Sequence, residues 1–288
     1  MKYLTQTTDI TSEKTKDLDY GRVVLDTTTG SVYLLGYSIK YQTVDLGLTS
    51  GTLWMDRNIG AEEITDNGLY FAWGETQGYT AEEIGLIKQF DWTDYKYYNY
   101  SAKQSGLTKY CDQARYGYNS FFDDITTLET TDDAVFQNTH KFYLPTKEQF
   151  AELLMETDVY LIKADGIEIH GTYDDDEQYV PWDTKPQQTD KLNGVEFRKK
   201  SDNNVKLFLP SAGWAYDGKL DGVGYYGSVW SNENGGNISV WELGFGYYSA
   251  YFSDYSYRCD GFPVRGVTAA SNNFSDAVRN IFYQEPML

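Results

Sequence analysis

The spacing of apolar and polar positions changes at about residue 43. The first twenty residues are rich in Thr, Lys and Asp and show no periodicity, which is typical of an arm or linker. Short apolar runs at 23–25 and 32–35 flank a turn-rich segment at 26–30 and predict a small hairpin. From residue 43 onwards, short apolar runs are split by Gly, Asn and Asp. This texture favours many short strands joined by long loops.

One helix is predicted, over residues 146–156. Thr146 is a suitable N-cap, and Gln149 three residues later completes a capping box. Phe150, Leu153 and Leu154 then fall on one face of the helix. The helix is therefore expected to pack against a core along that face.

Three later segments predict strands. Residues 206–209 are a brief apolar run that Pro210 ends. In residues 241–245, Trp, Leu and Phe alternate with Glu and Gly, which predicts a half-buried strand with its large apolar side chains inward. Residues 261–267 are the last candidate, and Pro263 places it at a sheet edge or at the start of a strand.

Composition and charge narrow the class of protein. The chain has 288 residues and is 41% hydrophobic, with 26 glycines against 6 prolines, which favours a folded and loop-rich protein. A formal net charge of -19 repels phosphate backbones and anionic membranes, so no nucleic acid partner is expected. The N-terminus lacks the apolar run of a signal peptide, and no segment approaches a membrane span, so we expect synthesis in the cytoplasm and no membrane partner.

The run at 246–257, GYYSAYFSDYSY, is the most informative stretch. It contains only Gly, Ala, Ser, Asp, Phe and Tyr, and five of its residues are tyrosines. Tyr supplies a large amphipathic contact area with few rotatable bonds, and Ser, Gly and Asp supply adaptable hydrogen bonding. The run therefore predicts a contact surface. The alternative is an edge strand whose aromatic side chains pack on a neighbouring subunit.

Five motifs occur in a fixed order between residues 43 and 268. They are VDLGLTSGTLWMDRNIGA at 44–61, GLYFAWGET at 68–76, YLPTKEQFAEL at 143–153, FLPSAGWAYDGKLDGVGYYGSVWSNE at 208–233 and GFPVRGV at 261–267. In order and character they resemble the fibrobacter-type major paralogous domains of gut bacteria and their phages. Five ordered motifs are a far more specific signal than one short pattern.

The resemblance implies an α+β fold of the C-type-lectin-like and formylglycine-generating-enzyme-like kind. Such a domain has a small twisted antiparallel sheet, one or two helices and long ordered loops that carry the ligand face. We accordingly expect an N-terminal arm and β-hairpin attachment module at 1–42, the ligand-binding domain at 43–268 and an extension at 269–288. Within the extension, a short helix is predicted at 275–283.

Some relatives of this kind are variable proteins of diversity-generating retroelements. Randomised asparagine codons cannot yield Trp, Lys, Glu, Gln or Met, and the 246–257 run contains none of these five. The resemblance makes the following residues scaffold: Trp230, Trp241, Leu243, Phe245, Arg258, Gly261, Val264 and Arg265. It makes the following residues ligand-binding positions: Tyr216, Asp217, Asn232, Asn234, Asn237, Ser239, Tyr247, Tyr248, Ser249, Tyr251, Ser253, Asp254, Tyr255, Ser256, Tyr257 and Asp260.

Metal binding and catalysis find weaker support. The acidic run at 174–177 and the cluster at 232–234 supply oxygen ligands that suit Ca²⁺. A solvated acidic loop explains these residues as well. Neither EF-hand spacing nor the motifs of calcium-dependent lectins are present. We expect no metal and no cofactor. Sugar stacking on Tyr or Trp stays open without a metal.

The histidines and cysteines do not predict an enzyme. His140 and His170 each lie in a strand-like setting without a companion nucleophile, so both are expected to be surface or hydrogen-bonded sheet residues. The related oxidases use neighbouring cysteines, whereas Cys111 and Cys259 are far apart in sequence, and two cysteines are too few for a disulfide framework. Whether the two pair is left open. Glu75 is expected to serve a turn, and Glu148 a helix first turn.

These observations predict a receptor-binding display protein of a phage virion, at a tail or head fibre tip. Its partners would be a host cell-surface protein or glycan, other virion proteins through the N-terminal region, and copies of itself in a homo-oligomer such as a trimer. The main alternative is a bacterial cell-envelope protein that binds glycan or protein. An oxidase of the formylglycine-generating type is the second alternative, and a structural virion decoration is the third.

Overall fold

The computed structural model describes residues 22–26, 31–35, 41–101, 104–174, 178–236 and 238–269. The chain divides into two compact units, Met1–Tyr41 and Gln42–Leu288. In the first unit, strands β1 (Arg22–Asp26) and β2 (Ser31–Leu35) pair antiparallel, which confirms the predicted hairpin. The arm at 1–21 and the helix predicted at 275–283 lie outside the described residues.

The second unit is α+β and rich in short antiparallel strands. Among its described residues the α-helices are α1 (Ala134–Thr139) and α2 (Lys147–Glu156). Three single-turn 3₁₀ helices cover Ala114–Tyr116, Tyr118–Ser120 and Thr130–Asp132. The strands are β3 (Thr43–Val44), β4 (Thr52–Met55), β5 (Tyr98–Asn99), β6 (Gly106–Leu107), β7 (Thr157–Lys163), β8 (Glu168–Gly171), β9 (Tyr179–Pro181), β10 (Leu192–Lys199), β11 (Asp202–Pro210), β12 (Trp214–Tyr216), β13 (Lys219–Asp221), β14 (Gly227–Asn234), β15 (Ser239–Phe245), β16 (Ser249–Tyr257) and β17 (Val267–Ala269).

Two four-stranded antiparallel sheets dominate this unit. Sheet A has the order β11-β10-β7-β8, and sheet B has the order β14-β15-β16-β9. A three-stranded sheet, β17-β4-β3, and the two-stranded pairs β12-β13 and β5-β6 complete it. In sheet B, β9 pairs with β16 only along Ser249–Tyr251, whereas β15 pairs along nearly the whole of β16. The second half of β16 is therefore an edge within the described part of the sheet.

One apolar core joins both sheets and helix α2. The capping box predicted for this helix is present, with Thr146 accepting a hydrogen bond from the amide of Gln149, and Phe150, Leu153 and Leu154 are buried. They pack with residues of both sheets, including Phe197 of β10 and Leu243 of β15. The predicted helix is confirmed. Burying an apolar side chain of this size stabilises the fold by about 1.5–3 kcal/mol.

The other face of sheet B is also covered. The indole N–H of Trp230 donates to the carbonyl oxygen of Phe71 at 2.8 Å, and that of Trp73 donates to the carbonyl oxygen of Ser231 at 2.9 Å. These bonds hold the segment around residues 70–73 against β14. A strand covered on both faces has no solvated side, so apolar and polar positions alternate less cleanly.

The segment around residues 70–73 changes the pattern of buried and exposed side chains that the sequence predicted for residues 241–245. The strand is confirmed as part of β15, and Leu243 and Phe245 are buried as predicted. Trp241, however, is only half-buried, while Glu242 and Gly244 on the alternate positions are buried. The expected solvated side is absent because the layer around Trp73 lies over it. Residues 206–209 are confirmed as a strand within the longer β11.

The strand predicted at 261–267 is wrong for most of its length. Gly261 and Phe262 form isolated bridges, and a strand begins only at Val267. Between them the carbonyl oxygen of Val264 accepts from the amide of Ile59 in a loop at 3.1 Å, and that of Gly266 accepts from the amide of Met55 at the end of β4 at 2.8 Å. Pro263 lacks an amide hydrogen and so cannot extend a sheet ladder.

Two buried arginines tie these loops to the sheets. The guanidinium of Arg265 donates to Asn58 Oδ1 and to the carbonyl oxygens of Met55 and Phe208, at 2.9–3.1 Å. Burial lowers the pKa of Arg265 to about 9. Arg258 donates to the carbonyl oxygen of Tyr110 at 2.6 Å. Both arginines are fully enclosed, in agreement with the scaffold position that the resemblance implies for them.

Candidate ligand-binding surface

Three tyrosines of the 246–257 run are exposed. Tyr255 is 84% exposed, Tyr248 51% and Tyr257 49%. Two of them, Tyr255 and Tyr257, lie on the half of β16 that β9 does not cover. The rigid neighbour β15 holds this strand from the other side. Strand β16 thus presents Tyr255 and Tyr257 outward, and the turn that joins β15 to β16 presents Tyr248.

The other predicted ligand-binding residues include exposed, half-buried and buried side chains. Besides the three tyrosines, Asp217 is exposed. The half-buried positions are Tyr216, Asn232, Ser239, Ser249, Tyr251, Asp254, Ser256 and Asp260. Asn234, Tyr247 and Ser253 are buried, and Asn237 lies outside the described residues. The outward orientation expected of the whole set therefore does not hold for Asn234, Tyr247 and Ser253.

Interactions inside the chain explain two of these buried positions. The side-chain Nδ2 of Asn234 donates to the carbonyl oxygen of Ile125 at 3.3 Å, and its Oδ1 accepts from the backbone amide of Gly236 at 3.1 Å. The ring of Tyr247 packs 5.1 Å from that of Tyr226, and their hydroxyl groups are hydrogen-bonded. Asn234 holds a turn, and Tyr247 supports its exposed neighbour Tyr248.

A first aromatic cluster lies beside the exposed end of β16. Trp92 lies 6.0 Å from Tyr257 and 4.6 Å from Tyr98, measured between ring centroids. Trp92 and Tyr98 are half-buried. Sequence reasoning missed both residues because they precede Tyr257 by about 160 positions. Aromatic pairs at such distances contribute about 0.5–1.5 kcal/mol beyond their buried area, so Tyr257 is held in place.

A second aromatic cluster surrounds Tyr248. It comprises Trp214, Tyr216, Tyr226, Tyr247 and Tyr248, with successive ring centroids 4.4–6.1 Å apart. Gln188 donates to the hydroxyl of Tyr248 at 2.7 Å, and Lys185 Nζ lies 4.6 Å from the Tyr248 ring centroid. The exposed Tyr248 is therefore fixed by contacts on several sides.

A tight hairpin presents the exposed Asp217 beside the second cluster. Strands β12 and β13 are joined by Asp217 and Gly218, which have φ angles of 45° and 70°. Two successive positive φ angles are the signature of a type I′ turn, for which Asp-Gly is a preferred sequence. The turn is anchored to the loop around Phe90, because the amide of Gly218 donates to the carbonyl oxygen of Gln89 at 2.6 Å.

Two carboxyl groups lie beneath this surface. Glu242 is 5% exposed, and its Oε2 atom has no hydrogen-bond partner among the described residues. Burial, with a smaller contribution from the nearby Asp260 carboxyl, raises the pKa of Glu242 to about 7, against the opposing effect of the Ser256 and Ser253 hydroxyls. Burial likewise raises the pKa of Asp260 to about 7, with a contribution from Asp217. The amide of Tyr257 donates to Asp260 Oδ2 at 3.1 Å.

Three buried carboxylates elsewhere in the described residues have cationic partners, whereas the buried Asp133 accepts from the backbone amides of Phe136 and Leu144. Glu75 lies 2.9 Å from Lys88 Nζ, so its role is a buried ion pair in addition to the expected turn. Asp132 lies 2.6 Å from Lys109 Nζ, and Glu196 lies 2.6 Å from Lys206 Nζ. In the part of the chain that the structure describes, Glu242 and Asp260 form no such pair.

A separate cleft lies on the outer side of sheet A. It has a volume of about 450 Å³, and Ile162 and Phe208 supply apolar walls beside Glu196 and Lys206. The two charged groups pair with each other across 2.6 Å. No predicted ligand-binding residue lines this cleft.

The histidines and cysteines occupy unremarkable chemical environments. The sequence predicted a strand-like setting for His140. In the structure His140 instead ends helix α1, with a left-handed φ of 53°. His170 lies in β8 with its Nδ1 atom 3.0 Å from Asp183 Oδ2. Cys111 and Cys259 are both free thiols and buried. Burial raises the pKa of the Cys259 thiol well above its usual range.

Across the described ranges, no group of three or more His, Cys, Asp and Glu side chains is placed to hold a metal ion. The acidic run at 174–177 is described only at Asp174. No helix in these ranges has the length and apolar character needed to cross a bilayer. No family model, curated protein or solved structure matches the chain.

Proposed function

We propose that this chain is a binding protein whose tyrosine-rich face contacts a ligand on the surface of a host cell. The observation that carries the proposal is the exposure of Tyr255 and Tyr257 on the edge strand β16, together with that of Tyr248 in the turn between β15 and β16. Exposed aromatic side chains that are preorganised lose little entropy on binding, which favours affinity. The domain is proposed to be C-type-lectin-like, as the ordered motifs suggest.

The contacts beneath the face support a binding role. The scaffold positions Leu243, Phe245, Arg258 and Arg265 are buried, while the residues above them differ widely in exposure. A rigid base with adaptable Tyr, Ser and Asp positions suits a surface whose side chains change without loss of fold. The composition of the run suggests diversification by a retroelement. A buried scaffold below changeable surface positions is compatible with such diversification.

The resemblance supports a phage virion as the setting, with the N-terminal unit joining the domain to other virion proteins. Copies of the chain in a homo-oligomer would present several such faces together, and multivalency strengthens weak contacts by a factor of about 10²–10⁴. Catalysis by Cys259 is not part of the proposal, since a thiol with a raised pKa is a poor nucleophile near neutral pH.

The test is binding of fluorescently labelled full-length protein to a panel of gut bacterial isolates. The triple variant Tyr248→Ala, Tyr255→Ala and Tyr257→Ala should bind at least about tenfold more weakly to any isolate that the wild type labels, because aromatic residues dominate binding energy. Phe122→Ala, at an exposed aromatic residue outside the face, is the matched control and should bind normally. Equal binding by the triple variant and the wild type would overturn the proposal.

A further inference from the structure

We propose that the turn carrying Leu86 and Ile87 is a second contact of the ligand-binding face and inserts into an apolar pocket of a protein ligand. This inference rests on the proposed function and names the class of its ligand. Leu86 is 83% exposed and Ile87 63%, the two largest values among the Leu, Ile, Val and Met side chains of the described residues. Single exposed apolar residues need no explanation, whereas a contiguous apolar group points to a binding partner.

Backbone hydrogen bonds hold this apolar tip, Leu86 and Ile87, in place. The amides of both residues donate to the carbonyl oxygen of Glu83, at 3.2 and 2.8 Å. The amide of Gly85 donates to the carbonyl oxygen of Lys88 at 2.8 Å, and the buried Lys88 anchors the end of the turn. The apolar tip is therefore a fixed projection, which loses little conformational entropy when a partner covers it.

The apolar tip lies beside the turn that presents Asp217. The backbones of Gly85 and Gly218 are in contact, because a β-carbon at Gly85 would come within 2.3 Å of the Gly218 carbonyl oxygen. Gln89 joins the two turns: its side chain donates to the carbonyl oxygen of Gly85 at 3.0 Å, and its own carbonyl oxygen accepts from the amide of Gly218 at 2.6 Å. Asp217 adjoins Tyr216 of the second aromatic cluster. The apolar tip thus extends the candidate ligand-binding surface.

The size of the apolar tip indicates that the same ligand covers both features. Stable protein–protein interfaces involve about 20–30 residues on each side, so two side chains are too few to form one alone. The tyrosine-rich face supplies the neighbouring area. The segment that carries the apolar tip also continues to Trp92, which lies 6.0 Å from Tyr257 in the first aromatic cluster.

Aliphatic side chains favour a protein ligand over a glycan. A sugar ring stacks on a flat aromatic ring, but its hydroxyl groups would lose hydrogen bonds to water around Leu86 and Ile87 without gaining new ones. A folded protein can offer an apolar pocket, in which burial of both side chains favours binding.

The charge around the apolar tip is mainly negative. Exposed carboxylates lie on both turns, at Glu82 on one and at Asp217 and Asp221 on the other. The exposed Lys219 offsets only one of these charges. The pocket of the ligand is therefore expected to have a basic rim. An anionic lipid surface would repel these carboxylates, and a second copy of the chain in a symmetric contact would bring like charges together.

The experiment measures binding of fluorescently labelled full-length protein to the bacterial isolates that the wild type labels. The double variant Leu86→Ser and Ile87→Ser should bind at least about tenfold more weakly, because two buried aliphatic contacts contribute this much or more. The double variant Met155→Ser and Ile167→Ser, at exposed aliphatic residues of helix α2 and the β7–β8 turn, is the matched control and should bind normally. Single Leu86→Ala and Ile87→Ala variants repeat the test with smaller changes. Normal binding by the Leu86 and Ile87 variants overturns the inference.

Further arms identify the class of ligand. Treating the cells with proteinase K should abolish labelling by wild type, whereas periodate, which oxidises sugar diols, should leave it unchanged. Survival after proteinase K, or loss after periodate, overturns the inference. Flotation with vesicles of phosphatidylcholine and phosphatidylglycerol tests a lipid partner, and sedimentation velocity tests a second copy. Flotation of wild type that the double variant Leu86→Ser and Ile87→Ser loses, or a change of oligomeric state in that variant, also overturns it.

The variants separate this inference from the proposed function. If labelling needs the three tyrosines but not the apolar tip, the proposed function stands and this inference fails. If labelling needs the apolar tip but not the tyrosines, the proposed function fails and the apolar tip remains a protein contact. If wild type labels no isolate, both fail.

Discussion

Gly244 lies directly under the ring of Tyr251, its partner across the ladder between β15 and β16. A β-carbon at Gly244 would come within 2.9 Å of two ring carbons of Tyr251. The absence of a side chain at Gly244 is therefore what allows the tyrosine to lie against the sheet. This contact keeps Tyr251 half-buried, while Tyr255 on the same strand is exposed.

Replacing Gly244 with Ala should destabilise the protein by about 1–3 kcal/mol, because the Tyr251 ring must move. Urea unfolding measures the change. In a Tyr251→Ala background the same replacement should cost clearly less, with a coupling of about 1 kcal/mol or more between the two sites. Additive costs in the double variant would show that another neighbour causes the conflict.

The buried Glu242 should make stability depend on pH. Its pKa is raised from 4.5 to about 7 in the folded protein, so the folded state holds a proton that the unfolded state releases between these values. Its contribution is fully present below about pH 4.5 and is lost as the pH rises through 7. The full effect is on the order of 3 kcal/mol.

Glu242→Gln tests this directly. The amide keeps the shape of the side chain but cannot ionise, so the variant should lose less stability than wild type between pH 5 and pH 8 in thermal unfolding. Glu63→Gln, at an exposed position, should follow the wild-type curve. A parallel pH dependence of wild type and Glu242→Gln would rule out Glu242 as the responsible group.

The ion pair between Lys88 and Glu75 should be sensitive to loss of one partner. Both side chains are buried, and Lys88 Nζ also donates to the carbonyl oxygen of Asp94 at 2.7 Å. Lys88→Met should cost about 3–5 kcal/mol, because it leaves the Glu75 carboxylate without a cation. Adding Glu75→Gln should recover part of this loss. Lys191→Met, at an exposed lysine, should change stability by less than about 0.5 kcal/mol in the same urea experiment.

The N-cap of α2 should contribute measurably to stability. Thr146→Ala removes the hydroxyl that accepts from the amide of Gln149 and should cost about 1 kcal/mol. Thr146→Ser keeps the acceptor and should retain most of the stability. Gln149→Ala is a less specific test, since Gln149 also donates to Thr52 Oγ1 at 3.1 Å. Equal losses for the Ala and Ser variants would argue against capping as the cause.

The elements that follow local rules were predictable. The capping box of α2, the N-terminal hairpin and the strands containing residues 206–209 and 241–245 all depend on neighbours a few positions away. The strand expected at 261–267 failed because its backbone bonds run to loops such as that at Ile59, about 200 residues earlier. Sequence periodicity carries no signal for such partners.

The candidate ligand-binding surface was likewise predictable from the sequence only in part. The amino acid order was enough to identify a tyrosine-rich run with the composition of a contact surface and a strongly acidic chain. Folding determined which tyrosines are exposed, since β9 covers only the first three residues of β16. It also brought Trp92 beside Tyr257 and buried Glu242 between Trp230 of β14 and Ser253 of β16. Exposure and ionisation depend on what packs against a residue, and these contacts join positions that are far apart along the chain.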